Sequence, residues 1–530
     1  MTKKEIPFKF TINFKLNLVM KYILTLALGL ILTGVTAQHT HTDLCGTTIE
    51  DQLLLEAKAR LAGPSKYETK ERLDKIYLPV TFHIVTKGDG TGGVKHSAIL
   101  DLLCKMNQDY EEWEMVFYPK DGITDYPILE NSTVYNDPRG NENLLRNRKD
   151  NSSINVFVTG DIQEPQGQVG NILGYYSPQN DLIVSMLNQF NLSSNTMSHE
   201  AGHFFTLRHT FFGWEGEPYA PSLHGNQVNF LNAPGTNIPV ELVDRSNCDV
   251  AADRLCDTPP DYNFGIRSPQ ANPPGISNGC GLTAEVKDRN GEVIAPMANN
   301  QMSYFDACPE FLFTNDQYNQ MLNNYNSALR DFLKSSYVPN EIQTDGRPTI
   351  TSPSQGDTYD DFNNVTIEWD AVNGASRYLI EIQNSEEYHF YYTTEPTLTA
   401  FDLSPDVDDY SVKVYAFNDG NTCNEPSGRV FFETGENVSN TVDQNIFEDV
   451  TISPNPAQEN LFISITSEKS EKVGISVFDV TGKLLYANDM KLTAGKNSHS
   501  VDLSAFNSGI HIVQITSENG KVSQKMSVIK

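Results

Sequence analysis

Residues Thr196-Met-Ser-His-Glu-Ala-Gly-His-Phe-Phe-Thr-Leu-Arg-His209 decide the reading of this 530-residue chain. Ser193, Ser194 and Asn195, all good helix N-caps, precede the stretch and predict that a helix starts here. On such a helix His199 and His203, four residues apart, stand one turn above each other, so two imidazoles can converge on one ion. Glu200 lies one position round, beside the ion rather than on it, where a carboxylate can take the proton of an attacking water. A straight continuation would carry His209 roughly 9 Å along the axis beyond His203. The chain must therefore turn if the third histidine is to join. Histidine supplies 11 of the 530 residues, so a third one at this spot has only about a 2% chance of being accidental. Thr206 sits within that turn, and a β-branched residue is unfavourable at positive φ.

The spacing resembles the ligand pattern His-Glu-x-x-His-x-x-Gly-x-x-His of the metzincin clan of zinc proteases at every fixed position but one, Thr206 standing where the clan has glycine. Asn300-Gln-Met302-Ser-Tyr304 resembles the clan's Met-turn. The likeness implies Met302 as an apolar floor under the histidines and Tyr304 as a hydrogen-bond donor to the tetrahedral oxyanion. Asp253-Arg-Leu-Cys-Asp257-Thr258-Pro259 and Asp306-Ala-Cys308, leading into Phe313-Thr314, extend the resemblance to the pappalysin or cytophagalysin family over roughly residues 76 to 335. That family cleaves proteins or peptides, and some members bind calcium near the Asp-Thr-Pro segment. The resemblance thus implies Zn2+ on His199, His203 and His209, Glu200 and Tyr304 as catalytic groups, and Asp253 and Asp257 as candidate Ca2+ ligands. It also implies a Cys280–Cys308 disulfide; Cys248 and Cys256 could close a local loop, with other connectivities open.

Around this segment the pattern is mixed α/β. Strands are expected at Ile76 to Val85, Ile154 to Val158 and Ile172 to Tyr176, and helices at Ser97 to Glu112 and Thr314 to Leu333. The strand near Tyr176 lies where metzincins have the edge strand that pairs with an extended substrate. Residues 76–338 are read as the catalytic domain.

Upstream, Lys3, Lys4, Lys9, Lys15 and Lys21 lead into the apolar run Tyr22 to Val35 and the small-residue ending Val35-Thr36-Ala37. This is a signal-peptide pattern over residues 1–37, too short for a stable membrane span. Residues 38–75 are polar, with one helical stretch at Glu50 to Leu61, and read as a prosegment. Its Cys45-Gly46-Thr47 resembles the family's cysteine-glycine motif, which implies a latent form with Cys45 on the zinc. The alternative is a disulfide from Cys45 to Cys104 or another cysteine. Release would follow a cut after a basic residue such as Lys58, Arg60, Lys70 or Arg72. Cys104 is expected in the core of its helix and Cys423 in the unit that follows.

Beyond Pro339 helical periodicity stops. Residues 346–435 show short alternating strands (Val365 to Trp369, Arg377 to Ile382, Tyr410 to Phe417) and resemble a fibronectin type III domain. Past a polar linker around Gly435 to Gln444, residues 447–530 carry Ile452-Ser-Pro-Asn-Pro456, Val477-Phe-Asp-Val-Thr-Gly-Lys483 and Gly509-Ile-His-Ile-Val513. These landmarks resemble the C-terminal sorting domain of type IX secretion cargo. The expected fold is thus multidomain, an α/β metzincin catalytic domain followed by two all-β sandwich domains.

Acidic residues outnumber basic ones 68 to 39, a formal net charge of -29, which argues against nucleic acid or an anionic membrane as partner. The expected partners are a protein or peptide substrate and the type IX secretion machinery, with the chain secreted or at the cell surface. Two functions compete: a secreted zinc endopeptidase, and an inactive metzincin-like adhesin or binding protein. Intact Glu200 with all three histidines favours the first.

Overall fold

The computed structural model describes residues 43–63, 75–122, 126–163, 171–266, 277, 279–306, 308–360, 362, 364–401, 403–435, 449–455, 457–458, 460–479, 483–507, 509–517 and 520–528. The signal-peptide reading, Lys70, Arg72 and most of the linker after Gly435 lie outside them. Two compact units result. The first comprises Met1–Arg347 with Val372–Leu379 and Tyr415–Glu425, and the second Pro348–Ala371, Ile380–Val414 and Pro426–Lys530.

The first unit is built on a seven-stranded sheet made of β1 (Asp43–Cys45), β2 (Ile76–Thr86), β3 (Met115–Pro119), β4 (Ile128–Glu130), β5 (Ile154–Thr159), β6 (Asn171–Ser177) and β7 (Leu182–Met186). Its order is β1-β6-β7-β5-β2-β3, with β4 also on β2. Only the β6–β7 pair is antiparallel. β2 and β5 are apolar and buried along almost their whole length, as strands covered on both faces must be. Four longer helices accompany the sheet: α1 (Ile49–Ala62), α2 (His96–Asp109), α3 (Thr196–Phe204) and α4 (Asn315–Asn326). Leu78, Val80 and Phe82 of the sheet pack in one core with Leu102 and Met106 of α2, Ala201 and Phe204 of α3, and Met321 and Leu322 of α4. Each of these side chains but that of Ala201 contributes roughly 1.5–3 kcal/mol by leaving water.

Helix ends differ from the pattern read in the sequence. α2 stops at Asp109, and a single tight turn, Glu111–Trp113, leads to Glu114 at φ +53°. α4 ends at Asn326 because Ser327 is extended and its hydroxyl accepts from the Leu329 amide, starting a separate 3-10 turn at Ala328–Leu333.

The described residues between 205 and 305 carry little regular structure but have an aromatic core of Phe211, Trp214, Tyr219, Tyr262, Phe264 and Phe305. Two disulfides close loops here, Cys248–Cys256 within this part and Cys280–Cys308 from it to just beyond its end. The third corrects the sequence reading. Cys104 is buried on α2, but it is bonded to Cys423, 319 residues away and in the same unit. Among the described residues only Cys45 is a free thiol, which removes the Cys45–Cys104 alternative.

Residues 350–434 form a three-stranded sheet ordered Thr397–Ala400, Val365–Trp369, Ile350–Ser352 and a five-stranded one ordered Tyr388–Thr393, Arg377–Gln383, Val407–Phe417, Val430–Thr434, Asp357–Tyr359, mostly within the second unit. Val365, Ile367 and Trp369 alternate inward, the period-two pattern of a strand with one buried face. The C-terminal block pairs a three-stranded sheet (Asp449–Ser453, Asn460–Ser467, Gly495–Asp502) with a four-stranded one (Leu484–Lys491, Lys472–Asp479, Gly509–Ser517, Gly520–Val528). Leu461, Ile463, Ile465, Val473, Ile475, Val477, Val513 and Ile515 fill the space between. No described helix is long and apolar enough to cross a membrane.

Candidate metal centre

α3 is wholly buried. Asn195 is its N-cap residue, although its side chain caps nothing; its carbonyl accepts from the His199 amide and from Gln301 Nε2. Ser194 Oγ accepts from the Thr196 amide at 3.2 Å. Tyr110 of the α2 end donates to the Ser198 carbonyl at 2.9 Å, and the buried Arg330 guanidinium caps the Phe204 carbonyl at the other end. Against the sheet the approach is close. A Cβ on Gly174 would lie 3.0 Å from Thr196 Cγ2.

The turn after α3 brings the third histidine back. Thr206 adopts φ +75°, its amide donating to the His203 carbonyl and that of Leu207 to Gly202, a left-handed helix end that glycine would adopt at lower cost. The Thr206 hydroxyl is buried without a partner among the described residues. Met302 is fully buried and packs against Gly202, where a Cβ would meet Met302 Sδ at 2.6 Å and force the side chain to shift.

One nitrogen, oxygen or sulfur atom from each of His199, His203, His209 and Cys45 lies within 4.8 Å of the others. The far ring nitrogens fix the tautomers. His199 Nδ1 donates to the Gln301 carbonyl and His203 Nδ1 to the Leu207 carbonyl, both at 2.7 Å; a carbonyl only accepts, so each Nε2 is left as a lone pair. His199 Nε2 is buried with no partner, and the Nε2 atoms of His203 and His209 are 3.2 Å apart. A tetrahedral ion with bonds near 2.05 Å sets its nitrogen ligands about 3.3 Å apart. Three buried imidazoles and a sulfur are therefore a donor set that fits zinc. Burial lowers His199 to about 4, and burial first and neighbouring histidines second lower His203, keeping the rings neutral as ligands must be. Burial, then the Glu200 charge, holds the Cys45 thiol far above its usual value. A thiolate there requires a cation beside it.

Residues 45–47 hydrogen-bond Glu200 and Tyr304 and bring a sulfur within 4.8 Å of the histidine ligand atoms. Thr47 Oγ1 donates to Glu200 Oε2 at 3.4 Å. Tyr304 donates its hydroxyl proton to the Cys45 carbonyl at 3.0 Å, and its ring lies 4.9 Å from that of His209. Burial pushes Glu200 up to about 8, opposed by hydrogen bonds from Cys45 and Thr47. Arg139 Nη2 donates to the Gly46 carbonyl at 2.6 Å, and a Cβ on Gly46 would meet that same nitrogen at 2.6 Å, so the Cys-Gly pairing is a steric requirement. β1 runs parallel to β6, Cys45 opposite Gly174, and covers the edge expected to be free for substrate.

Three further residues escaped the sequence reading. Gln52 of α1 accepts from the His209 amide at 2.9 Å and places its Nε2 2.9 Å from His209 Nδ1 and from Glu215 Oε1. Glu215 Oε1 is 3.2 Å from His209 Nδ1, and its other oxygen accepts from the Gly213 amide. Glu241 has both carboxylate oxygens buried and unpartnered among the described residues. Burial, then the charges of Asp253 and Asp261, push it up to about 10. Neither Gln52, Glu215 nor Glu241 stands at a spacing that marks a role.

Of the two candidate calcium ligands, Asp257 has a carboxylate that accepts from Thr314 Oγ1 and the Asp316 amide at the start of α4. Asp253 is buried, accepting from the Leu255 amide and Thr258 Oγ1.

Residues 451–530 match the family described as secretion system C-terminal sorting domain. That domain directs the chain across the outer membrane, to the cell surface or the medium, through the type IX machinery. No curated protein matches the chain. Similar solved structures include dimeric latent PorU from Porphyromonas gingivalis (14% identity, TM-score 0.15, 36% of this chain, 20% of that one). Others are the chicken CNTN1 FN1-FN3 domains (13%, 0.14, 35% and 68%) and fibronectin(III)-like modules of Clostridium thermocellum CbhA (18%, 0.14, 34% and 93%). The matched part spans about a fifth of the PorU chain.

Proposed function

We propose that the chain is the latent form of a secreted zinc-dependent endopeptidase of the metzincin type, with residues 38–75 as its inhibitory prosegment. The observation that carries this reading is the convergence of His199, His203, His209 and Cys45 beside Glu200. Zinc on the three histidines would supply Lewis acidity, activating water and polarising the scissile carbonyl. The β6 backbone would hold an extended peptide once β1 leaves. Glu200 Oε2, freed from Thr47, would take the proton of the attacking water and return it to the leaving amine. Tyr304, freed from the Cys45 carbonyl, would donate to the developing oxyanion. Glu215 would orient His209 through Nδ1. An inactive binding protein would have no use for a buried Glu200 at this position.

Lys58 and Arg60 lie inside α1, where a processing protease would first have to unwind a helix. A calcium ion held by Asp253 and Glu241 is a second part of the proposal, supported by the unpartnered Glu241 carboxylate. The test is casein cleavage by the processed secreted protein. It should proceed with Glu200 in place and fall by at least a thousandfold in Glu200→Ala; unchanged cleavage refutes the mechanism.

A further inference from the structure

The contacts of residues 43–63 do not end at Cys45. α1 is an unusual helix. Its buried residues are Asp51, Gln52 and Leu55, while Leu53 (46%), Leu54 (38%) and Leu61 (76%) are exposed. Leu55 alone joins the main core. A helix selected to build a core would turn its leucines inward; this one turns polar groups inward, and each meets a partner. Glu56 accepts from Arg254 Nη1 at 2.5 Å and from Arg208 Nη1 at 3.2 Å. Arg208, next to the third histidine, has a side chain only 4% exposed and donates its other terminal nitrogen to the Asp253 carbonyl. Lys58 Nζ donates to Tyr176 Oη at 2.9 Å and lies 3.4 Å from Asp181 Oδ1, which Arg330 holds from the other side at 2.8 Å. Asn323 of α4 donates to the Gly63 carbonyl at 2.6 Å. Glu56 and Lys58 thus engage opposite charges, one set beside His209 and the other at the end of β6.

We propose that α1 is a second inhibitory element, latched by Glu56 on Arg208 and Arg254 and by Lys58 on Asp181, that keeps the prosegment seated independently of any bond between Cys45 and a metal. The inhibitory role rests on the protease reading above; the latch itself does not. Partly buried ion pairs resist salt and directional loss better than exposed ones, and removing one partner leaves the other charge desolvated. A prosegment held this way stays in the cleft when the metal is removed, and a severed one remains bound until the latch opens.

The test uses the full chain and the only free thiol of the described residues. Cys45 is alkylated with iodoacetamide under native conditions after chelation of metals, and the rate is read by mass. The latch predicts that chelated wild type labels at least tenfold more slowly than Glu56→Arg/Lys58→Glu, and that Leu61→Ser, at an exposed position of the same helix, labels like wild type. If the double variant does not fold, Glu56→Gln/Lys58→Met is read the same way, with Lys58→Arg keeping the protection. Chelated wild type labelling as fast as the variants overturns the proposal. Absence of zinc from the purified protein would refute the protease reading while leaving this measurement intact.

Discussion

The Nε2 atoms of His203 and His209 face each other at 3.2 Å while His203 commits its other ring nitrogen to the Leu207 carbonyl. With the unpartnered Nε2 of His199 beside them, at least two ring-nitrogen lone pairs, those of His199 and His203, meet in a buried site. Such a site is costly empty and favourable around a cation.

On the proposed reading, latency follows from what contacts the site. Cys45→Ala removes the sulfur but leaves Thr47, Gln52 and α1 in place, so the precursor should stay inhibited yet activate severalfold faster, read as a shortened lag in casein cleavage. Gly46→Ala should shorten it too, because the new methyl meets Arg139 and Ile172. An unchanged lag in both variants would remove the switch.

Thr206 stores strain. At φ +75°, with its hydroxyl unpartnered, it costs on the order of 1 kcal/mol relative to glycine. Thr206→Gly should raise Tm by about 2–4 °C with zinc content unchanged; a lower Tm would show that the threonine side chain contributes to the turn.

How much of this could be read from the chain follows from the range of the interactions. His199, Glu200, His203 and the turn to His209 were legible because helical spacing and one forced reversal are local. The same holds for β2 and β5, whose apolar runs are self-evident. Ser327 ends α4 through a single local hydrogen bond that an otherwise helical pattern concealed. Gln52, Arg139 and Glu215 were invisible because they act across 93 to 157 residues or, for Glu215, through a loop with no spacing rule. The bonds from the Asp257 carboxylate to the start of α4 span 57 and 59 residues, beyond the reach of any local pattern.

The Cys104–Cys423 disulfide has a practical consequence. A chain ended near Pro339 loses Cys423 and part of the first unit. Cys423→Ser should destabilise the first unit by about 2–4 kcal/mol, read as a lower denaturation midpoint. An unchanged midpoint would show the bond to be dispensable.

Calcium is tested at Glu241. Saturating calcium at about a hundredfold over its Kd adds about 2.7 kcal/mol, so Tm should rise by several degrees in calcium. In Glu241→Gln, which relieves the repulsion from Asp253 and Asp261, the dependence should vanish. A calcium-independent wild-type Tm would dismiss the site.

Metal content of the purified full chain tests the central claim most directly. The account predicts one zinc per chain in the wild type, and a loss of affinity of at least a hundredfold in His203→Ala, measured by competition with a chromophoric chelator. Wild-type protein that takes up no zinc, or His203→Ala that binds it as tightly, would contradict the account.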